Sequence, residues 1–325
     1  MSSRFLRYDV IICLLLVVAI TIIAYYCFPQ KKIISIEDGN SFTWIAPDID
    51  QLPSTSEANM IRYGRELIIN TSNYFGPKGS IMAISNGMNC QNCHLDAGTR
   101  LYGNNFSAVA STYPKYRDRS GRVETIEYRI NECMQRSLNG EALDSNCKEM
   151  KAMVAYIKWL GKDVPKGIKP DDASAKTVTY LNRASDTVSG KTIYFLKCLQ
   201  CHGPEGQGQA KSDSSGFFYP PLWGSHSYNV SAGIYRLSLL AAFVKSNMPY
   251  TPTHTTPQLT DEEAWDVAAF VCSQPRPEKF FSYDWEKIET KPVDYPFGPF
   301  ADTYSAAQHK YGPFGEMKKP KQGSK

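Results

Sequence analysis

The chain has 325 residues, of which 42% are hydrophobic and 21% charged, a composition typical of a globular protein rather than a disordered one. Its length is enough for two ordinary domains with cores of their own. The net charge is only +4, and this excess of basic residues comes from the two ends of the chain. The body therefore gives no reason to expect nucleic-acid binding.

The first predicted element is an apolar segment near the N-terminus. Residues 10–28 read VIICLLLVVAITIIAYYCF, without a charge, and a helix of this length can cross the hydrocarbon core of a bilayer. A cleaved signal peptide is the alternative, but its apolar region is usually about 7–15 residues long and ends in a small-residue cleavage site. We therefore expect residues 1–32 to form an uncleaved membrane anchor.

A short cysteine–histidine motif then occurs twice along the chain. Both copies have the spacing C-x-x-C-H, with Cys90, Cys93 and His94 in the first and Cys198, Cys201 and His202 in the second. In c-type haem attachment, two such thiols bind the vinyl groups of one porphyrin and the histidine is the proximal ligand of iron. A thioredoxin-like redox pair or half of a zinc site are the alternatives. Two copies in a chain with only five histidines favour two covalently bound haem c groups.

Covalent haem also indicates where the protein resides. Haem of this type is attached outside the cytoplasm. We therefore expect the body of the chain to lie on the periplasmic side, held at the inner membrane by its N-terminal helix.

Each motif lies between two amphipathic helices, which predicts a repeated domain. The helix before the first motif carries Gly64, and Gly190 has a comparable place before the second. The helices after the motifs read CKEMKAMVAYIKWLG and LTDEEAWDVAAFVCSQPRP, and Thr260 with Glu263 predicts a capping box at the start of the latter. This is the plan of small class I cytochromes c, in which the glycine lets the terminal helices cross closely.

We therefore predict a mainly α-helical protein with two tandem class I cytochrome c-like domains and an N-terminal transmembrane helix. The expected boundaries are 1–32 for the anchor or signal, 33–165 for a catalytic haem domain, 166–280 for an electron-transfer haem domain and 281–325 for an irregular C-terminal tail. Proline, glycine and charged residues in GKDVPKGIKPDDASAK mark the linker between the haem domains.

Each haem iron also needs a distal ligand, whose identity sets its potential and reactivity. In the second domain, Met248 precedes Pro249 shortly before the last helix, where class I cytochromes place their methionine. His254 and Lys245 are the other candidate ligands. The alternative interpretation of His254 is a surface histidine in a loop, and that of Lys245 is a solvated residue at a helix end. We predict that Met248 pairs with His202, a ligand set that raises the potential and suits electron transfer.

The first domain has no comparable Met-Pro pair. Its candidate ligands are Cys133 and Met134 in the stretch RINECMQRS, and Cys133 has the position that methionine occupies in the second domain. Alternatively, Cys133 is a small buried residue or half of a disulfide. Cys147 and Cys272 could pair with each other, which would leave Cys133 unpaired. Basic residues around it usually form a solvated, salt-bridged helix face. Beside a thiolate, they favour deprotonation and bind an anion.

The sequence resembles the dihaem cytochrome c family of thiosulfate dehydrogenases and tetrathionate reductases. The resemblance rests on MIRYGRELIINT, NGMNCQNCHLDAG, YRINECMQRSLNG, MVAYIKWLG, CLQCHGPEGQG, PPLWGSHSYN and SNMPY. It implies that His94 and Cys133 are the ligands of the first haem. It also implies that Arg119, Arg129 and Ser137 line the substrate pocket.

The same resemblance implies a reaction that joins two thiosulfates into tetrathionate with the release of two electrons, or the reverse. Fixed positive charge would offset the repulsion between two dianions. Electrons would pass from the first haem through the second to a partner cytochrome. The alternatives are a non-catalytic, membrane-anchored dihaem electron carrier, a dihaem peroxidase-like enzyme and a cytochrome subunit that docks a dehydrogenase.

Overall fold

The structure, a computed structural model, describes residues 44–250 and 253–318. These residues are mainly α-helical, as predicted, and six of their helices have eleven residues or more. These are α1 Ser56–Ile69, α2 Ile126–Arg136, α3 Lys148–Leu160, α4 Thr187–Lys197, α5 Leu237–Asn247 and α6 Asp261–Ser273. The shorter helical segments are Thr71–Phe75, Leu95–Gly98, Val109–Thr112, Leu199–His202 and Ala306–Tyr311.

Strands contribute little to the fold. Within the described ranges they form two short antiparallel pairs. The first pairs β1 Lys115–Arg117 with β2 Arg122–Glu124, and the second pairs β3 Gln209–Ala210 with β4 Phe217–Tyr219. Both pairs lie in loops that lead from one helix to the next, so the helices carry the architecture.

Two hydrophobic cores, one around each cysteine–histidine motif, give the chain its two domains. The first core unites α1, α2 and α3 through buried side chains that include Leu67, Met134 and Met153. The second unites α4, α5 and α6 and includes Tyr194 and Trp265. The predicted capping box is present at the start of α6, where it satisfies backbone donors of the first turn.

A glycine at each helix crossing brings the terminal helices of both domains together. Helix α1 packs on α3 and α4 packs on α6. A Cβ atom at Gly64 would lie 2.0 Å from the carbonyl oxygen of Ala152, and one at Gly190 would lie 1.9 Å from the carbonyl oxygen of Asp266. Neither contact is sterically possible, so the helix axes would have to separate to admit a side chain. The predicted close crossing is confirmed in both domains.

Substituting Gly190→Ala is expected to lower the free energy of unfolding by about 3 kcal/mol, because the new methyl group meets rigid backbone. Gly233→Ala is the matched control, since a Cβ there has no atom within 4 Å. That variant should stay within about 0.5 kcal/mol of the unsubstituted protein. Urea unfolding followed by circular dichroism measures both. Equal stabilities for the two variants would contradict the close crossing.

The chain beyond α6 packs against both domains. We expected an irregular tail over residues 281–325, and the described part, which ends at residue 318, includes the helix Ala306–Tyr311 among turns. Phe314 is buried in the second core. The Trp285 N–H donates to the carbonyl oxygen of Arg119 in the first domain at 2.7 Å. The segment therefore connects the two domains.

The predicted membrane segment, residues 10–28, lies outside the described residues. Within 44–250 and 253–318, no helix is long and apolar enough to cross a membrane. The anchor stays a prediction.

Candidate active site

Local hydrogen bonds fix the loop that carries the first C-x-x-C-H motif. The Cys90 N–H donates to Thr71 Oγ1 at 3.0 Å. His94 Nδ1 lies 2.6 Å from the carbonyl oxygen of Asn104, and the imidazole packs on Phe106 with ring centroids 4.6 Å apart. Because a carbonyl oxygen only accepts hydrogen bonds, Nδ1 carries the proton and Nε2 remains as the ligand atom.

Helix α2 brings Cys133 to this motif. Its half-buried thiol lies within hydrogen-bonding reach of His94 and interacts electrostatically with Cys90 and Cys93. The tertiary structure therefore places together the four residues that the sequence predicts for the first haem.

Arg129 acts on the charge state of Cys133. Burial raises the pKa of the Cys133 thiol, but Arg129 and then His94 outweigh that effect and lower the pKa from 9.0 to about 7. Cys133 is in turn the largest influence that raises the pKa of Arg129. One helical turn separates the two residues, so α2 itself sets their proximity. The site favours a thiolate, the form of cysteine that binds metals and attacks sulfur.

A buried network of charges continues along the same helix. Glu132 pairs with Arg129 at 3.1 Å and with Arg136 at 2.9 Å, at the i−3 and i+4 positions. Arg136 is 1% exposed and donates two hydrogen bonds to Asp284, each at 2.7 Å. The network thus connects the position of Arg129 to the C-terminal segment.

The other two predicted pocket residues are placed differently. Arg119 donates to Asp284 at 3.1 Å and to the carbonyl oxygen of Ser231 at 2.7 Å, which makes it part of the buried network. Ser137 follows α2, and its N–H donates to the carbonyl oxygen of Cys133 at 2.9 Å. Their roles in substrate binding stay predictions.

The second motif opens into a cavity of about 340 Å³. Its lining includes Cys198, Cys201, His202 and Met248. His202 Nδ1 lies 2.9 Å from the carbonyl oxygen of Pro220, which leaves Nε2 for a metal as in the first domain. Met248, directly after α5, is thus brought to the site for which the sequence predicts it.

The rivals of Met248 have other partners. Lys245 forms an ion pair with Asp261 at the start of α6. His254 packs on Tyr102, with ring centroids 5.3 Å apart, and is not among the residues that line the cavity. This arrangement favours Met248 as the distal ligand.

The two sites share a wall. Gln91, Asn92 and Cys93 belong to the first motif, and all three also line the cavity of the second. Asn229 of the second domain donates from its backbone to the carbonyl oxygen of Arg136, at the end of α2, at 3.1 Å. The helix that carries Cys133 is therefore bonded to the neighbouring domain, and groups bound at the two motifs would be neighbours.

The residues of both sites fit covalent haem. The seven cysteines of the described residues form no disulfide, so all four motif thiols are available. The cavity of the second motif is mostly apolar, and one of its lining residues is Tyr228, whose hydroxyl is buried without a geometric hydrogen bond among the described residues. A large apolar group with polar substituents matches these walls. The fold and the sites together define a tandem dihaem cytochrome c.

Family models match both domains. The model described as SoxA/TsdA, cytochrome c domain, matches residues 82–165, and the model described as cytochrome c matches residues 187–275. A thiosulfate dehydrogenase of Psychrobacter arcticus is 36% identical over 72% of this chain and 68% of its own length. One of Allochromatium vinosum is 40% identical over 60% of this chain and 72% of its own.

The chain therefore belongs to the thiosulfate dehydrogenase family and is an oxidoreductase with two covalently bound haem c groups. Among solved structures, it is similar to thiosulfate dehydrogenase (TsdBA) from Marichromatium purpuratum in its "as isolated" form, with a TM-score of 0.67 and 31% identity. The match covers 79% of this chain and 54% of that one. The family and the tandem cytochrome c domains predicted from the sequence are confirmed.

Several residues around the sites were not singled out by sequence reasoning. The pairing of Glu132 could have been predicted, because its spacing from Arg129 and Arg136 places all three residues on one helical face. The role of Asp284 could not have been predicted from the sequence, since 148 residues separate it from Arg136 along the chain. Tyr228 and Arg276, which meet beside the second cavity, likewise lie far apart in sequence.

Proposed function

We propose that the protein interconverts thiosulfate and tetrathionate at the site formed by His94, Cys133 and Arg129. The observation that carries the proposal is the placement of the Cys133 thiol against the first haem motif with a partly exposed cation, Arg129, beside it. The names of the relatives, thiosulfate dehydrogenases, point to the same chemistry. When bound, each haem takes up one electron, so two haems match a two-electron reaction.

Arg129 has the chemistry to bind the substrate. Two thiosulfate dianions repel each other, and a sulfur–sulfur bond forms between them only when fixed positive charge offsets that repulsion. The guanidinium group suits a sulfonate because it presents a fork of donors to two oxygens. Glu132 holds this group at 3.1 Å and so limits its rotation. The reaction balances as two thiosulfates giving one tetrathionate and two electrons.

Cys133 has one of two roles in this proposal. Together with His94 it would hold the first haem, and its thiolate would either give way to the substrate or meet the substrate sulfur directly. Its lowered pKa suits both roles, because the thiolate is the reactive and the ligating form. His202 and Met248 would hold the second haem, which would pass electrons to a partner cytochrome.

The shared wall gives the electrons a short route between the domains. Cys93 is an attachment residue of the first haem and also lines the cavity of the second. A redox partner would therefore need access only to the second domain. The non-catalytic electron carrier is the competing function, and a thiosulfate assay with an artificial electron acceptor separates the two. A protein that binds both haems and takes up no electrons from thiosulfate is the carrier.

Substituting Arg129→Gln is expected to raise the KM for thiosulfate roughly tenfold to a hundredfold, because a hydrogen bond to a charged group contributes about 1.5–3 kcal/mol. Arg122→Gln is the matched control, since Arg122 is an exposed arginine of the same domain. It should leave KM unchanged. Steady-state kinetics with an artificial acceptor measure both constants. An equal effect of the two substitutions would assign Arg129 no special role in binding.

The location of the protein belongs to the same proposal. Residues 10–28 anchor the chain in the inner membrane, and the haem domains face the periplasm. The apolar, uncharged sequence of this segment supports an anchor. Fractionation of cells that express the full chain should place the haem signal in the membrane fraction. When residues 1–32 are replaced by a cleavable export signal, the haem signal should move to the soluble fraction. Recovery of the full chain in the soluble fraction would contradict the proposal that residues 10–28 anchor it.

A further inference from the structure

A buried tyrosine and a buried arginine beside the second cavity have no part in the reaction proposed above. Tyr228 is 3% exposed and Arg276 is 9% exposed. Apart from their interaction with each other, Tyr228 Oη and Arg276 Nε have no hydrogen-bond partner in the part of the chain that the structure describes. A buried polar atom left unpaired costs about 1–3 kcal/mol. Two such donors side by side therefore indicate a bound group that accepts from both.

Tyr228 belongs to the wall of the second cavity, and Arg276 packs against Tyr228. Tyr228 lines that cavity, and the guanidinium carbon of Arg276 lies 4.4 Å from the centroid of its ring. The remaining nitrogens of Arg276 donate to the carbonyl oxygens of Leu222 at 3.1 Å and Val271 at 2.5 Å. Both of these residues line the cavity as well. The guanidinium is thus fixed against residues of the cavity wall, and neither of these bonds uses its Nε donor.

The charge of Arg276 also needs a counter-ion. Burial lowers the pKa of its guanidinium, but nearby Tyr228 and Cys272 outweigh that effect and keep the pKa raised. The largest influences on it are tyrosines and a cysteine, not carboxylates. A buried cation without an anionic partner is strongly unfavourable. An anionic group bound in the cavity would supply such a partner.

We propose that Tyr228 and Arg276 bind a propionate carboxylate of the second haem. A carboxylate accepts from a phenol and a guanidinium together, and charge-assisted hydrogen bonds of this kind are the strong ones. The proposal depends on the cofactor and not on the substrate, so it stands whether or not thiosulfate is oxidised. Tyr228 also interacts electrostatically with Cys93, which places this carboxylate site near the wall between the two haem sites.

Removal of the cation should change the potential of one haem only. Without Arg276, the carboxylate charge is uncompensated and favours the oxidised, more positive iron. Arg276→Gln is therefore expected to shift the midpoint potential of the methionine-ligated haem downward, and Tyr228→Phe to shift it in the same direction by less. Spectroelectrochemical titration of the holoprotein, with the two haems resolved by their spectra, measures the shifts.

Tyr235→Phe is the matched control. Tyr235 packs 4.9 Å from the same guanidinium, but its hydroxyl donates to the carbonyl oxygen of Cys272 at 3.2 Å. The substitution removes a phenol hydroxyl beside Arg276 and leaves the cavity lining unchanged. The midpoint potentials of both haems should therefore stay the same. If the Arg276→Gln variant does not fold, the midpoint potentials of the Tyr228→Phe variant test the proposal on their own. Unchanged potentials in Tyr228→Phe, a shift confined to the first haem, or an equal shift in Tyr235→Phe would each overturn the proposal.

Discussion

Replacing Cys133 by glycine is expected to lower thiosulfate turnover at least a hundredfold while both haems stay attached. The substitution removes the thiolate that the proposed function requires and leaves the two C-x-x-C-H motifs untouched. Turnover is measured with an artificial electron acceptor, and haem content with the pyridine haemochrome assay. Two haems per chain with no turnover is the expected result.

Cys147→Ser is the matched control for this substitution. Cys147 is another free cysteine of the first domain, and its sulfur accepts from the Met150 N–H at the start of α3. A serine hydroxyl can replace that cap, so activity should be unchanged. Retained turnover in Cys133→Gly would remove the proposed enzymatic site.

A second substitution at the same position tests ligation directly. Cys133→Met should abolish the spectrum of a thiolate-ligated, low-spin haem and give the first haem the ligand set proposed for the second. Its midpoint potential should then rise towards that of a His/Met haem. A spectrum identical to that of the unsubstituted protein would show that Cys133 does not reach iron.

Substituting Asp284→Ala is expected to lower the free energy of unfolding by about 3–5 kcal/mol, because it leaves the largely buried Arg119 without its carboxylate and Arg136 with Glu132 alone. Asp284 bonds both Arg136 and Arg119, and the side chain of Arg136 is only 2% exposed. Urea unfolding of the holoprotein measures the loss. We also expect weaker thiosulfate binding, since Arg136 and Arg129 share Glu132 as a partner.

Glu286→Ala controls for the loss of an acidic residue in the same segment. Glu286 is exposed, so its removal should change the free energy of unfolding by no more than about 0.5 kcal/mol. If Asp284→Ala is as stable as Glu286→Ala, the network is not a stabilising element. Substituting Arg136 by an apolar residue as well should recover only part of the lost stability, because Arg119 still lacks its carboxylate partner.

The parts of the protein that depend on neighbouring residues were predictable from the sequence. The two haem motifs are five residues long, so their chemistry can be read from spacing alone. Apolar periodicity and the capping box of Thr260 and Glu263 likewise depend on residues within a turn or two, and the structure contains both helices and cap. Gly64 and Gly190 were identifiable because each has the same place in a repeated plan.

Only the tertiary structure decided which distant residues meet. Sequence proximity made Arg119 look like part of a basic cluster around Cys133, but its guanidinium bonds Asp284, which is 165 residues away. The pairing of Tyr228 with Arg276 has the same origin, since α5 and α6 lie between the two residues along the chain. Local spacing determines covalent attachment and helix formation, because both depend on a few consecutive residues. The burial of charge depends on the packing of whole domains, and no short stretch of sequence contains that information.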